Sequence, residues 1–283
     1  MIPVDTSLAI KSVELVNQVR LCYAEQGDSS GVPVVFLHGA TDSWRSFERV
    51  LPHLPESIRA FAVTQRGHGD SSRPATGYRL GDFAADLSAF MDALHLKTAI
   101  IAGHCMGGLV AQRFALDYPE RTRGLVLAGT LPTMRRKPEV QELWDSVVSK
   151  LEDPVDRSFV VEFQESTLAQ PVPSAFFDTV IQESLKVPAR VWKEVFASLL
   201  QEDSSSELRR IKVPTLIVWG DRDAFCSRQD QDALMRALVR SKLIVYSETG
   251  HALHWEEPEH FADDLVEFMR GFVGKLADSK LVV

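Results

Sequence analysis

The segment Ala99-Ile100-Ile101-Ala102-Gly103-His104-Cys105-Met106-Gly107-Gly108-Leu109-Val110 narrows the possible folds more than any other stretch of the chain. An apolar run of strand length enters Gly-x-Cys-x-Gly and leaves as a helical pattern. Such a strand-to-helix turn is sharp and strained, and glycines two before and two after the central residue relieve the crowding around it. The helix that follows points its positive end at the central side chain. A cysteine in this place is either a small core residue or an exposed nucleophile. Its surroundings choose between the two.

Those surroundings alternate strand with helix. Residues 19–25, 34–37, 60–64, 98–102 and 125–128 read as strands, several of them near-continuous apolar runs suited to a sheet covered on both faces. Phe83, Leu87, Phe90 and Leu94 recur at helical spacing, and Leu109, Phe114 and Leu116 do so more loosely. This rhythm predicts an α/β fold, a mostly parallel central sheet flanked by helices. It breaks between 133 and 206, where amphipathic segments at 139–151 and 189–200 are punctuated by Pro138, Pro154, Pro171, Pro173 and Pro188. The rhythm resumes with strands at 215–219 and 243–246 and helices at 229–239 and 258–272, Pro258 suiting a first turn. The expected organisation is an α/β core from 1–132, a helical cap from 133–206 and the rest of the core from 207–283.

Four further motifs accompany the Gly-x-Cys-x-Gly turn, in this order: His38-Gly39-Ala40, Gln65-Arg66-Gly67-His68-Gly69-Asp70-Ser71, Trp219-Gly220-Asp221-Arg222-Asp223 and Gly250-His251. Taken together, the chain resembles the α/β-hydrolase superfamily over nearly its whole length, in the capped branch of esterases, lactonases and C–C hydrolases. It departs from most of that family by carrying Cys105 where they carry serine. Dienelactone hydrolases and polyhydroxyalkanoate synthases are relatives with cysteine there, and an engineered replacement of serine is another source of the same residue. The superfamily hosts many chemistries, so the resemblance implies a fold and a reaction style rather than a substrate.

The resemblance implies roles residue by residue. Cys105 is the nucleophile, His251 the general base and acid, and Asp223 the carboxylate that orients the imidazole; this is the chain order of the fold. His254 is the rival to His251 and is assigned to a loop or the cap-facing wall. His68 is structural, and His104 should point away from the nucleophile by strand alternation. Asp221 is the alternative to Asp223. Backbone amides of Ala40 and Met106 are the candidate oxyanion hole. Trp44, Trp144, Phe163, Phe177 and Trp192 are the candidate substrate-binding residues, with Phe159, Phe176 and Phe196 as further aromatic candidates, and together they imply an apolar pocket.

Composition removes some function classes. A net charge of -8 and a pI near 5.5 disfavour nucleic-acid and anionic-membrane surfaces. No apolar run approaches the roughly 20 residues of a membrane span. Met1-Ile2-Pro3-Val4-Asp5 has no basic, apolar leader. Cys22, Cys105 and Cys226 are too few and too scattered for a disulfide framework or a zinc site, which fits a cytoplasmic protein with no metal or cofactor. Aspartate-nucleophile chemistry, as in haloalkane dehalogenases and epoxide hydrolases, is excluded by Cys105. The expected function is hydrolysis of a hydrophobic carboxylic ester or lactone through a Cys105 acyl-enzyme. Acyl transfer through the same thioester, small-molecule reception and cofactor-free lyase chemistry stay open as alternatives.

Overall fold

The computed structural model of the protein describes residues 8–135 and 137–277. Residues 1–5, read above for a leader, lie outside them. The order of elements is β1 (Ala9–Glu14), β2 (Arg20–Gln26), β3 (Val32–Leu37), β4 (Ile58–Val63), α1 (Leu80–Ala93), β5 (Ala99–His104), α2 (Met106–Asp117) and β6 (Thr122–Ala128). Four helices follow without a strand between them: α3 (Pro138–Ser146), α4 (Arg157–Glu165), α5 (Ser174–Leu185) and α6 (Ala189–Gln201). The chain closes with β7 (Thr215–Gly220), α7 (Arg228–Ala237), β8 (Ser241–Tyr246), α8 (Leu253–Glu256) and α9 (Pro258–Ala277). No described helix is long and apolar enough to cross a membrane.

The eight strands form one sheet in the order β1-β2-β4-β3-β5-β6-β7-β8. β2 runs antiparallel to both β1 and β4, and every other pairing is parallel. The central strands explain their apolar runs directly. Val35, Leu37, Phe61, Val63, Ile101, Leu125, Leu127 and Ile217 pack into a core with α1, α2 and the inserted helices. Their chain neighbours Val34, Phe36, Ala60, Ala62, Ile100, Ala102, Val126 and Val218 pack into a second core with α9. Successive side chains leave a strand on opposite faces, so a strand buried on both sides must be apolar throughout.

Strand β1 carries no such run. It pairs only with β2, its residues are mostly exposed, and an edge strand of this kind has no buried stripe by which to be seen in sequence. The helices α3–α6 occupy the span between β6 and β7, and Trp192, Val195, Phe196 and Leu199 of α6 join the same core as α2. The inserted helices are therefore packed on the body of the fold through a shared apolar core.

Candidate active site

Cys105 sits between β5 and α2 with φ of 51° and ψ of -117°, a left-handed region that non-glycine residues rarely adopt. The turn is tight because three backbones meet there. A Cβ on Gly103 would lie 2.1 Å from the Gly107 carbonyl oxygen, and one on Gly107 would lie 2.1 Å from that of Leu37. Glycine at both places is a steric requirement, since side-chain carbons do not approach that closely. The Cys105 carbonyl accepts from the Gly108 amide at 3.0 Å and from the Thr130 hydroxyl at 2.9 Å, which holds the strained peptide in place.

Asp223 and His251 come from the loops that follow β7 and β8. His251 Nδ1 lies 3.0 Å from each Asp223 carboxylate oxygen. Asp223 Oδ1 also accepts from the amides of Phe225 and Cys226, at 2.8 and 2.9 Å. The imidazole and carboxylate are both shut from solvent, with side-chain exposures of 3% and 0%. Burial alone would depress the imidazole. The charge of Asp223, and then that of a Cys105 thiolate, outweighs burial and holds the His251 pKa well above the ordinary value. Asp221 is elsewhere: its carboxylate accepts from the Glu248 amide at 2.7 Å and braces an exposed turn.

The loop after β3 is fixed by two other histidines. His38 donates from Nδ1 to the Gly39 carbonyl at 2.7 Å, while its Nε2 accepts from the Gln65 amide at 3.0 Å. His68 lies 2.7 Å from the Ala40 carbonyl through Nε2. The His-Gly and Arg-Gly-His-Gly motifs thus clamp together the loop that carries Ala40. Met106, the first residue of α2, is fully buried beside Cys105.

A family model described as alpha/beta hydrolase fold matches residues 32–258. The chain belongs to this family. Among its relatives, the AB hydrolase superfamily protein YisY of Bacillus subtilis is 28% identical over 249 residues, covering 84% of this chain and 91% of YisY. The 3-oxoadipate enol-lactonase 2 of Acinetobacter baylyi is 23% identical over 254 residues, with 90% and 94% covered. The solved structure of the esterase EaEST from Exiguobacterium antarcticum superposes with a TM-score of 0.82 at 27% identity, covering 92% of this chain and 99% of that one.

Cys105, Asp223 and His251 all follow the carboxyl ends of parallel strands, β5, β7 and β8, where open α/β sheets place their crevices. Cys105 and His251 line one cavity together with Ala40, Asp42 and His104 from the core and with Val140, Leu143, Phe163, Gln164, Phe196 and Leu199 from α3, α4 and α6. Of the aromatic residues singled out in sequence, Phe163 and Phe196 are in this wall. Trp192 is not; it is fully buried behind the wall, stacked on Phe196 at 6.0 Å and edge-on to Phe163 at 5.3 Å. Trp44 packs into the α9-side core, with the Arg45 guanidinium 4.7 Å over its ring. Trp144 and Phe177 pack against the main core outside the cavity wall. Helical periodicity marks a buried side but cannot tell cavity from packing, so Trp144, Phe177 and Trp192 serve packing, and Trp44, singled out for its nearness to the loop after β3, packs as well.

Two histidines also sit differently from expectation. His254 belongs neither to a surface loop nor to the cap-facing wall: it is buried in α8, 4.9 Å from the Phe47 ring and 3.0 Å from the Ser46 hydroxyl. His104 does take the sheet face that alternation requires, but the His251 loop covers that face. Its ring is 4.9 Å from the His251 ring, and its Nε2 contacts the His251 carbonyl at 3.1 Å. The cavity also recruits Asp42, Gln164, Phe225 and Trp255. No motif flags them, because each arrives from a different loop or helix.

The donor atoms of Asp223, Cys226 and His251 lie within 4.8 Å of one another, the one such cluster among the described residues. Burial, reinforced by the Asp223 charge, pushes the Cys226 thiol pKa strongly up, and the Asp223 oxygens already hold His251 and two amides. Asp223 and His251 thus form a hydrogen-bonded carboxylate–imidazole pair with a buried thiol beside it.

The buried histidines set an acid limit on stability. Burial, with repulsion from His251, pushes His254 down to about 3, and burial depresses His38 and His104 well below their ordinary value. A neutral histidine in the fold binds no proton that the unfolded chain takes up, so stability falls as pH drops below about 6.5. His251 has the opposite sign, but its contribution is already complete at that pH. Asp42, raised to about 6 by burial, regains part of the loss between pH 6 and 4. Between pH 7 and 5, urea unfolding is expected to show a net loss of at least about 2 kcal/mol, the value for one such histidine. Unchanged stability over that range would show that these imidazoles titrate normally.

Proposed function

We propose that the protein hydrolyses carboxylic esters or lactones with a largely apolar body through an acyl-enzyme on Cys105. One observation carries this reading: a strained, glycine-flanked cysteine and a buried Asp223–His251 pair open onto the same mostly apolar cavity. The names of the enol-lactonase and esterase relatives support the same reaction class.

In this mechanism His251 takes the Cys105 proton, and the thiolate forms a C–S bond to the substrate carbonyl carbon. Negative charge builds on the carbonyl oxygen, where the Ala40 and Met106 amides serve as donors; a donor so placed contributes roughly 3 kcal/mol to the transition state. Collapse breaks the C–O bond, and the imidazolium protonates the departing alkoxide. His251 then takes a proton from water, which attacks the thioester and releases the acid as the thiol is re-formed. Asp223 keeps the Nδ1 proton in place throughout and stabilises the imidazolium. The helices α3–α6 act as a cap, supplying the apolar side of the pocket. Three unpaired thiols fit a reducing, cytoplasmic setting.

Intact-mass measurement after mixing with short-chain aryl esters tests this directly. The expected result is release of the phenol together with a transient mass gain of one acyl group, mapped to Cys105. No turnover and no adduct across esters and lactones would overturn it. Acylation of an added amine or alcohol in excess of hydrolysis would reassign the enzyme to acyl transfer.

A further inference from the structure

The cavity wall is apolar from Leu131 and Met134 round to Phe196 and Phe225, yet it contains one carboxylate, Asp42, which the proposed mechanism does not use. Asp42 is 5% exposed. Burying a charge in such surroundings is costly unless it is well hydrogen-bonded, and the two side-chain donors to Asp42 are distant. Its Oδ2 accepts from the Ser46 hydroxyl at 3.3 Å and its Oδ1 from the Gln164 amide at 3.2 Å. Both are long beside the roughly 2.7–2.9 Å usual for donors to a carboxylate.

Gln164 cannot improve on this. Its amide nitrogen carries two hydrogens and faces three acceptors: Thr41 Oγ1 at 2.9 Å, Ser184 Oγ at 2.8 Å and Asp42 Oδ1. Ser184 spends its own hydrogen on the Val180 carbonyl at 2.9 Å and so must accept from Gln164. Thr41 has the shorter contact of the remaining two. Even with the Gly39 amide as a third donor, the Asp42 carboxylate keeps acceptor capacity to spare, and the residue lines the cavity.

Its position relative to the nucleophile is fixed by Gly39. A Cβ on that residue would lie 3.0 Å from Asp42 Oδ2 and 3.6 Å from the Cys105 Cβ. The carboxylate and the nucleophile therefore converge on the same side of the Gly39 α-carbon. A donor that reaches Asp42 while the scissile carbonyl meets the sulfur must lie within one or two carbons of that carbonyl.

We infer that Asp42, set by Gln164 and Ser46, is a specificity-determining residue that accepts a hydrogen bond from a substrate hydroxyl close to the scissile carbonyl. The substrate class is thus a hydroxyacyl ester or hydroxylactone with an apolar remainder, and acyl groups carrying a carboxylate at that place are repelled. This rests on the hydrolase reading above and narrows it. Burial raises the Asp42 pKa to about 6 against the opposing hydrogen bonds from Gln164, Ser46 and Gly39.

The test compares p-nitrophenyl 3-hydroxybutanoate with p-nitrophenyl butanoate. The parent enzyme is expected to favour the hydroxy ester by about tenfold or more in kcat/KM, the discrimination typical of one hydrogen bond to a charged group. Asp42→Ala should bring the ratio close to one. Asp42→Asn, which preserves size and folding, should lower it severalfold. Absence of a preference in the parent, or loss of both activities in equal proportion in both variants, overturns the proposal and leaves Asp42 a structural group.

Binding of 3-hydroxybutanamide and butanamide, read by thermal shift, separates this from the hydrolase reading. If neither ester turns over but the hydroxyamide binds more tightly, hydrolysis fails and the subsite stands. If both esters turn over equally and both amides bind equally, the subsite fails and hydrolysis stands.

Discussion

Cys105→Ala is expected to lower kcat/KM for an activated aryl ester by about 10⁴-fold or more, the loss seen when a covalent nucleophile is removed from a working triad. The site keeps its cavity, its imidazole and its backbone donors, so a small residual rate above the uncatalysed reaction should remain. Steady-state release of the phenol, with a mass spectrum free of acyl adduct, checks both halves. A loss below tenfold would mean that Cys105 is a bystander and that water attacks directly. Cys105→Ser belongs in the same experiment. Serine keeps the geometry but needs deprotonation by His251 at the moment of attack, whereas a thiol ionises readily beside an imidazole. A faster serine variant would mark the cysteine as a replacement in a serine esterase frame. A much slower one would show that the machinery is tuned to a thiolate.

Asp223→Asn should cost about 10³–10⁴-fold in kcat with KM little changed, because the amide favours the wrong imidazole tautomer. The structure makes this residue hard to substitute. Its side chain is fully buried, it holds His251 Nδ1 at 3.0 Å, and it opposes the burial that would otherwise depress that imidazole. Asp221→Asn is the control: that carboxylate braces the Ser247–Glu248 turn and does not touch His251, so its rate should stay within a few-fold of the parent. Comparable losses at the two positions would shift the acid role away from Asp223.

The strands of the central sheet were legible because burial on both faces forces continuous apolar runs, and β5 with its flanking glycines was legible because three backbones crowd there. Strand β1 was not, since an edge strand exposed to solvent has no stripe to read. The aromatic residues of the inserted helices show the same limit from the other side. Trp192 and Phe196 share one buried side of α6, yet Phe196 lines the cavity beside Phe163 of α4 while Trp192 props both from behind. His104 follows strand alternation and still meets His251, because alternation says which face a side chain takes and nothing about what covers that face.

What sequence alone determined was whatever local geometry enforces: the α/β alternation, the glycine-flanked turn at Cys105, and the chain order of Cys105, Asp223 and His251. What only the tertiary structure decided was whatever depends on segments far apart in the chain. The 3.0 Å approach of Asp223 to His251, the burial of His254 and the exclusion of Trp44, Trp144, Phe177 and Trp192 from the wall are of this kind. So is the polar corner of Asp42 and Gln164, 122 residues apart. A turn's sterics are written in its neighbours, but a pocket is made by side chains whose proximity exists only after the sheet has closed and the inserted helices have packed upon it.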